Sequence, residues 1–356
     1  MRGLKYLSVY LFIALAVIAY TLGGWWGLAL PVVAFGLLPL LELFLTQSEA
    51  NPDVEEEERL KNSMFFDLAV YLAVPAQYGL LFYFLWQIST KAFSGVELVG
   101  LIATMGICCG VFGINVAHEL GHRKKKHEQW MAKSLLLTSL YMHFFIEHNR
   151  GHHAKVATPD DPASARYGEG LYRFWWRSVS GSLRSAWELE TRRLSRRELP
   201  WWQNEVLWYH VIQVGFVALI GVVFGGLAMV CFLAAAVGGF LLLETVNYIE
   251  HYGLTRGTKD NGRYEKVLPI HSWNANHPLG RLFLFELTRH SDHHANATRK
   301  YQLLRHFDES PQMPTGYPGM MVLACVPPLW FKVMHAHIAR YQRRLEGMEG
   351  AAAQAA

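Results

Sequence analysis

The feature that most constrains this chain is a set of long apolar runs with almost no charged residues inside them. A bilayer core about 30 Å thick needs roughly 20 consecutive apolar residues per helix, whereas a soluble core needs no runs of this length. Six segments meet this requirement, at 6–22, 25–45, 65–88, 96–117, 206–224 and 227–248. With 52% hydrophobic residues overall, the pattern predicts an all-α protein built as a bundle of six transmembrane helices.

The basic residues predict the orientation of this bundle. The run 123–126 follows the fourth apolar segment, and a second arginine-rich patch lies at 192–197. Because basic residues next to a span mark its cytoplasmic side, both termini and the cap segments 118–205 and 251–340 are expected in the cytoplasm. We treat residues 1–356 as a single integral-membrane domain. Its Ala-rich end, 351–356, is a low-complexity tail.

Four histidine motifs lie at or beyond the cytoplasmic ends of these predicted helices. In HSDHH the three histidines stand at i, i+3 and i+4, so a helix would project them from one face. The other motifs are HELGH, EHNRGHH and NYIEHYG, and together the four offer nine imidazoles. The motifs occupy 118–122, 147–153, 247–253 and 287–295.

Nine imidazoles are more than one ion can use. Divided into two sites of four or five, they exceed the four ligands that zinc usually takes and suit iron or copper with room for an exogenous ligand. Two neighbouring ions suit dioxygen chemistry, so a di-iron centre is our hypothesis, while ligand type alone leaves copper open. The four cysteines show no CxxC spacing, which excludes a zinc ribbon or a rubredoxin-type iron site within the chain.

Two other classes of protein compete with this interpretation. HELGH alone matches the pattern of zinc metalloproteases, in which Glu119 would be the general base. A protease would need only one more ligand, which leaves the other motifs unexplained. A metal transporter would need ionisable residues along its spans. The few polar residues there form no evident ladder: Glu42, Asp67, Gln77, Glu97 and Glu244.

The four motifs, in this order and spacing, resemble those of the membrane alkane 1-monooxygenases. They resemble more loosely the membrane fatty-acid desaturases and xylene monooxygenase, and NYIEHYG separates the hydroxylases from the desaturases. The resemblance extends to the block 271–302 and reaches about residue 340. It implies a non-haem di-iron enzyme that uses dioxygen to convert medium- or long-chain n-alkanes to 1-alcohols. A desaturase, or a hydroxylase of other hydrophobic substrates, is the alternative.

The resemblance also implies the ligands. Carried over motif by motif, they are His118, His122, His148, His152, His153, His251, His290, His293 and His294. Four carboxylates beside them are candidates to orient the imidazoles by accepting their other N–H, or to bridge the irons: Glu119, Glu147, Glu250 and Asp292. His271 and His277 are expected to support the site or to form a lid, in preference to ligation.

The electron route follows from the same resemblance. In that family electrons pass from NAD(P)H through a reductase and a rubredoxin, and no rubredoxin cysteines exist here, so the carrier must be a separate chain. The expected partners are rubredoxin with its reductase, membrane lipids, an n-alkane and dioxygen, with no nucleic acid. The expected location is the bacterial inner (cytoplasmic) membrane, with the active site on the cytoplasmic side.

Overall fold

The computed structural model describes residues 3–355, with side chains as far as Gly347. Within that range the chain is helical and has no strand, only two isolated bridges. Among the described residues, six helices are long and apolar enough to cross a membrane, which confirms the predicted all-α, six-helix architecture. In chain order, these first to sixth membrane helices are Leu4–Leu22, Gly24–Glu42, Met64–Thr90, Gly95–Gly121, Glu205–Phe224 and Gly226–His251.

The remaining helices lie between the second and third membrane helices, within the segments 118–205 and 251–340, and at the C-terminal end. The predicted low-complexity tail falls on residues whose side chains, and for Ala356 also the backbone, lie outside the described part of the chain. The longer helices outside the membrane set are Val54–Lys61, Lys126–Leu137, Leu171–Arg196, Tyr317–Ala324 and Pro327–Ala355, and the shorter ones are Phe144–Glu147, His153–Lys155, Pro278–Phe283 and His290–Ala295.

The fourth and sixth membrane helices pack closely at the centre of the bundle. A Cβ at Gly239 would lie 2.6 Å from the Cβ of Cys109, and a Cβ at Gly106 would lie 3.2 Å from the carbonyl oxygen of Ala235. Small residues therefore let the two backbones approach, as is common where helices pack within a bilayer. The contact matters for function because both helices end in histidine motifs.

In the described part of the chain, three π-helical stretches interrupt the regular helices. One, Val33–Leu37, lies in the second membrane helix, and two precede or contain candidate ligands: Cys109–Asn115 and His148–His152. A π-turn holds an extra residue, so it rotates every side chain that follows relative to a regular helix, and such turns are frequent at functional sites. These two stretches set the directions in which the first two histidine motifs point.

Arg123 is a buried structural residue and not an exposed marker of the cytoplasmic side. Its guanidinium contacts Asp67 at 2.5 Å, Glu119 at 2.8 Å and Glu128 at 3.1 Å. Lys300 reaches the same Asp67 carboxylate at 2.8 Å. Because these charges are buried together, removing one partner would leave another uncompensated. The cluster joins the third membrane helix to the HELGH motif and to the loop after the last histidine motif.

Candidate metal centre

The first histidine group contains five of the nine predicted ligands. Each residue offers a ring nitrogen within 4.8 Å of the others: His118, His122, His148, His153 and His293. The Nε2 atoms of His118 and His293 lie 2.9 Å apart, and those of His122 and His148 lie 3.1 Å apart. The group therefore joins the fourth membrane helix, the π-helical segment and the last motif at one point.

The second group contains the other four, and all are buried: His152, His251, His290 and His294. The Nε2 atom of His290 lies 2.8 Å from that of His294 and 3.3 Å from that of His251. The two groups touch, since the rings of His153 and His294 stack with centroids 4.4 Å apart. The structure thus brings all nine histidines into two adjacent clusters.

The spacing of the nitrogens fits bound metal ions. An ion about 2.1 Å from each nitrogen places neighbouring ligand nitrogens roughly 3.0–3.4 Å apart. The close Nε2 pairs in the two groups lie between 2.8 and 3.3 Å from each other. The Nε2 atom of His152 is buried without a hydrogen-bond partner among the described residues, as expected for a nitrogen that would coordinate a metal ion.

Burial keeps most of these imidazoles neutral, the form that binds metals. It lowers the pKa of His122 to about 3. It also lowers the pKa of His148 and His294 well below the usual value, with neighbouring imidazoles adding to the effect. At neutral pH each of these residues is therefore a neutral imidazole, with a lone pair available on one of its two ring nitrogens.

His152 differs because a carboxylate holds its other nitrogen. Burial acts to lower the pKa of His152, but the charge and hydrogen bond of Asp161 raise it overall. Asp161 Oδ2 lies 2.8 Å from His152 Nδ1 and also accepts a hydrogen bond from the Ser164 hydroxyl at 2.5 Å. This contact favours the tautomer with its proton on Nδ1, which leaves Nε2 free for a metal. Sequence reasoning missed Asp161, although the pair Asp160-Asp161 follows the EHNRGHH motif closely.

The four carboxylates predicted to orient imidazoles have different surroundings. Glu119 is bound by Arg123, and Asp292 by Arg299 at 2.8 Å. Glu147 is buried beside the second group, where burial raises its pKa to about 8. Glu250 alone contacts an imidazole, with Oε2 3.1 Å from the inward-facing Nε2 of His290. Among the described residues, Asp161 is the carboxylate that contacts an imidazole Nδ1, and Glu250 lies beside an inward-facing Nε2. The orienting or bridging role of the four carboxylates stays a prediction.

His271 and His277 lie outside both groups. His271 accepts a hydrogen bond from the backbone of Leu268, and His277 Nε2 lies 3.3 Å from the Gln47 side chain. Glu42, one of the few polar residues of the apolar segments, is buried and accepts a hydrogen bond from the backbone N–H of Gly280 at 2.6 Å. All three contact segments near the centre, and a supporting role for His271 and His277 stays a prediction.

These contacts also decide between the classes of protein considered above. A metalloprotease needs a free glutamate base, but Glu119 accepts two hydrogen bonds from Arg123 at 3.0 and 2.8 Å. A transporter needs a path of ionisable groups along the membrane helices. Asp67 is fixed in the Arg123 cluster, and Glu244 accepts hydrogen bonds from Tyr141 at 2.7 Å and Ser178 at 2.5 Å. Neither class fits the arrangement.

An apolar cavity opens onto the histidines. Its walls come from the first, second, fourth and sixth membrane helices and from the segment around residues 279–290, and three ligand candidates, His118, His148 and His290, close one end. Apart from these, Asn115 and Asn247 are the only polar side chains among the described lining residues. The remaining lining residues are Phe12, Ala34, Phe35, Leu38, Ile107, Gly110, Val111, Ile114, Phe144, Leu242, Leu243, Val246, Leu279, Gly280, Phe283, Leu284, Leu287, Pro318 and Met321.

Comparison with known proteins agrees with this geometry. The fatty acid desaturase family model matches residues 94–324, which contain all nine histidines. Alkane 1-monooxygenase 2 of Pseudomonas aeruginosa is 41% identical over 341 residues, covering 92% of this chain and 90% of the relative. Alkane 1-monooxygenase of Pseudomonas putida is 45% identical over 314 residues, covering 87% and 77%.

A more distant relative is the hydroxylase component of the xylene/toluene monooxygenase of Pseudomonas putida, 28% identical over 342 residues, or 94% of this chain and 88% of the relative. The resemblance found in the motifs therefore extends over most of this chain and over more than three quarters of each of these relatives. The chain belongs to the alkane 1-monooxygenase family, within the wider fatty acid desaturase family.

Proposed function

We propose that this chain hydroxylates the terminal carbon of medium- or long-chain n-alkanes at two iron ions held by its nine histidines. The reaction consumes an alkane, dioxygen, two electrons and two protons, and yields a 1-alcohol and water. The observation that carries the proposal is the apolar cavity that ends at His118, His148 and His290. An alkane fits such a space because it has no polar group that would lose its hydration there.

Iron bound in the two groups would supply the activation of dioxygen. The chain itself holds the imidazoles neutral by burial and fixes His152 through Asp161. The buried position of the second group keeps water away from the reacting carbon. Selectivity for carbon one then follows from shape, because a narrow cavity presents the end of the chain to the ligands.

The length of the cavity sets an expected substrate size. Along the fourth membrane helix it runs from Ile107 to His118. At 1.5 Å per residue this is about 16 Å, the length of an extended chain of roughly twelve carbons. The first, second, fourth and sixth helices form its walls, and among the described lining residues none belongs to the third helix.

The identity of the product tests the proposed function. The purified chain in lipid, supplied with dodecane, dioxygen and a reduced carrier, is expected to form 1-dodecanol. A matched incubation with a saturated fatty acyl substrate is expected to give no alkene. Alkene formation would instead favour the desaturase alternative, whereas 2-dodecanol as the main product would contradict the end-on cavity.

The far end of the cavity offers a second prediction. Ala34→Leu adds a larger side chain to the wall, so the longest accepted alkane is expected to shorten by about two carbons. Ile107→Ala replaces a wall side chain with a smaller one, so the longest accepted alkane is expected to be longer, with the oxygen still on carbon one. Competition among alkanes of increasing length measures the limit. Val222→Leu, on a side chain 86% exposed outside the cavity, is the control and leaves the limit unchanged.

We further propose that electrons come from NAD(P)H through a reductase and a separate rubredoxin, and that this carrier docks beside Arg150. That residue lies within the π-helical segment between His148 and His152, and its side chain is 43% exposed. It lines a surface depression together with Arg192, Arg193, Arg196 and Arg197. A small acidic carrier would be steered to this patch, directly above the metal ligands.

Salt and charge reversal test this docking site. Turnover at limiting rubredoxin is expected to fall as salt rises, since exposed charges are screened over about 8 Å at physiological ionic strength. The double variant Arg196→Glu/Arg197→Glu is expected to raise the apparent KM for the carrier roughly threefold to tenfold and to leave the KM for alkane unchanged. Lys91→Glu, at the other end of the third membrane helix, is the matched control. An equal effect of both variants, or turnover indifferent to salt, would contradict the site.

Localisation belongs to the same proposal. The six membrane helices make the chain a multi-pass membrane protein. We place it in the bacterial inner membrane as a single catalytic domain, with both termini and the histidine centre on the cytoplasmic side. The exposed residues Lys124, Lys125 and Lys126 support this orientation, because they follow the fourth membrane helix at the end that carries the histidines.

A further inference from the structure

The helix Leu171–Arg196 lies across the ends of the fifth and sixth membrane helices. The indole N–H of Trp175 donates to Thr245 at 3.1 Å, and the Ser178 hydroxyl donates to Glu244 at 2.5 Å. Further along, the helix shares a surface depression with His210 of the fifth membrane helix. It therefore sits at the level where these two helices leave the apolar region of the membrane.

One face of this helix exposes large apolar side chains. Trp176 is 82% exposed, Tyr172 55%, Trp187 45% and Leu183 37%. The spacings of four, seven and four residues place them in one stripe along the helix. The opposite face packs on the protein through buried residues such as Phe174, Ser178 and Ala186. An exposed stripe of this length requires a partner.

Two unpaired arginines border the stripe. Arg173 follows Tyr172 and Arg184 follows Leu183, so both lie on the same side of it. Neither has an ion pair or hydrogen bond among the described residues. Other arginines of this helix do: Arg177 binds Glu169, and Arg193 binds Glu190. The two free guanidinium groups are thus available to an anion next to an apolar surface.

We propose that this helix lies in the plane of the membrane interface, with its stripe among the lipid chains and Arg173 and Arg184 bound to anionic phospholipid headgroups. Continuity favours lipid as the occupant. Trp201, Trp202 and Trp208 are exposed at the beginning of the fifth membrane helix, which then presents exposed valines such as Val214. Amphipathic helices with apolar side chains on one face and basic residues beside it bind membrane interfaces in this way.

The proposal depends on the embedding of the six membrane helices and not on iron or substrate, so it can fail while the proposed function holds. Depth quenching tests it. In a Cys325→Ser background, which removes the one exposed cysteine among the four, Leu183→Cys is labelled with a fluorophore. The full chain is placed in nanodiscs of phosphatidylcholine and phosphatidylglycerol. We expect quenching by spin-labelled lipid and protection from aqueous iodide.

Asp260→Cys, on an exposed turn of the cap, is the matched labelling position. Its fluorophore is expected to be quenched by aqueous iodide and not by spin-labelled lipid. Equal iodide quenching at both positions would place the stripe in water and overturn the proposal. Protection of Leu183→Cys from both quenchers would mean that a protein covers the stripe, which would also overturn it.

The headgroup contact has its own test. The ratio of phosphatidylglycerol to phosphatidylcholine that stays bound to the purified chain is measured by mass spectrometry. Arg173→Gln and Arg184→Gln are each expected to lower, by about fivefold, the preference of the lipid site next to the replaced arginine for the anionic lipid. The measured ratio should fall in each variant. Arg59→Gln, on the separate helix Val54–Lys61, is the control. An unchanged ratio in the double variant Arg173→Gln/Arg184→Gln would overturn the assignment of headgroup binding.

Discussion

Replacing His294 with alanine is expected to lower the iron content from about two ions per chain to about one and to reduce alkane hydroxylation by more than roughly 100-fold. His294 belongs to the group of four, so its loss leaves three imidazoles there and five in the other group. The matching change His122→Ala removes one ligand from the group of five and is expected to reduce activity as strongly. Elemental analysis of the purified variants and product assays measure the two effects.

His337→Ala is the control for these variants. His337 lies in neither group, and its Nε2 is hydrogen-bonded to the carbonyl oxygen of Gln312 at 2.7 Å. Iron and activity are expected to stay near the values of the unchanged protein. Stoichiometric zinc in an active preparation, copper in place of iron, or full activity in both ligand variants would contradict the di-iron assignment.

Replacing Asp161 with leucine is expected to weaken iron binding in the group of four by about 10-fold to 100-fold. The carboxylate fixes the tautomer of His152 through a 2.8 Å contact, and leucine has a similar volume but no acceptor. Without the acceptor, His152 can turn or place its proton on Nε2, the atom that faces the metal. Titration with a chelator measures the loss, which should affect one ion per chain and spare the other.

Asp160→Asn provides the comparison, because the neighbouring carboxylate is exposed and contacts Tyr264 instead of an imidazole. Asp161→Asn retains a carbonyl acceptor without the charge, so an intermediate loss is expected. Equal loss of both ions in the leucine variant, together with a lowered melting temperature, would show that Asp161 maintains the cap as a whole. Retention of both ions would show that Asp161 does not support metal binding.

Much of the fold was predictable because a bilayer imposes simple rules on a sequence. Backbone groups must be satisfied within each segment, so long apolar runs become helices whatever their neighbours are. Two of these helices continue beyond their apolar runs into histidine motifs. The fourth helix continues to Gly121 and the sixth to His251, because these residues are buried in protein and need no contact with lipid.

The histidine motifs were equally visible, since spacing within a helix is a local property. The sequence by itself determined that nine imidazoles would lie near one membrane surface. It also excluded a rubredoxin-type iron site within this chain. It could not determine which imidazole joins which group. His152 and His153 are adjacent in sequence, yet they belong to different groups, because consecutive residues of a helical segment point in different directions.

Contacts between distant segments are what only the tertiary structure decided. The division of the histidines into five and four, the role of Asp161, the burial of Arg123 and the cavity walls all depend on how helices pack. Each π-turn rotates the residues that follow it, and close glycine contacts set how near two helices lie. Such directions and distances arise from the packing of many side chains at once, so no local pattern of residues encodes them.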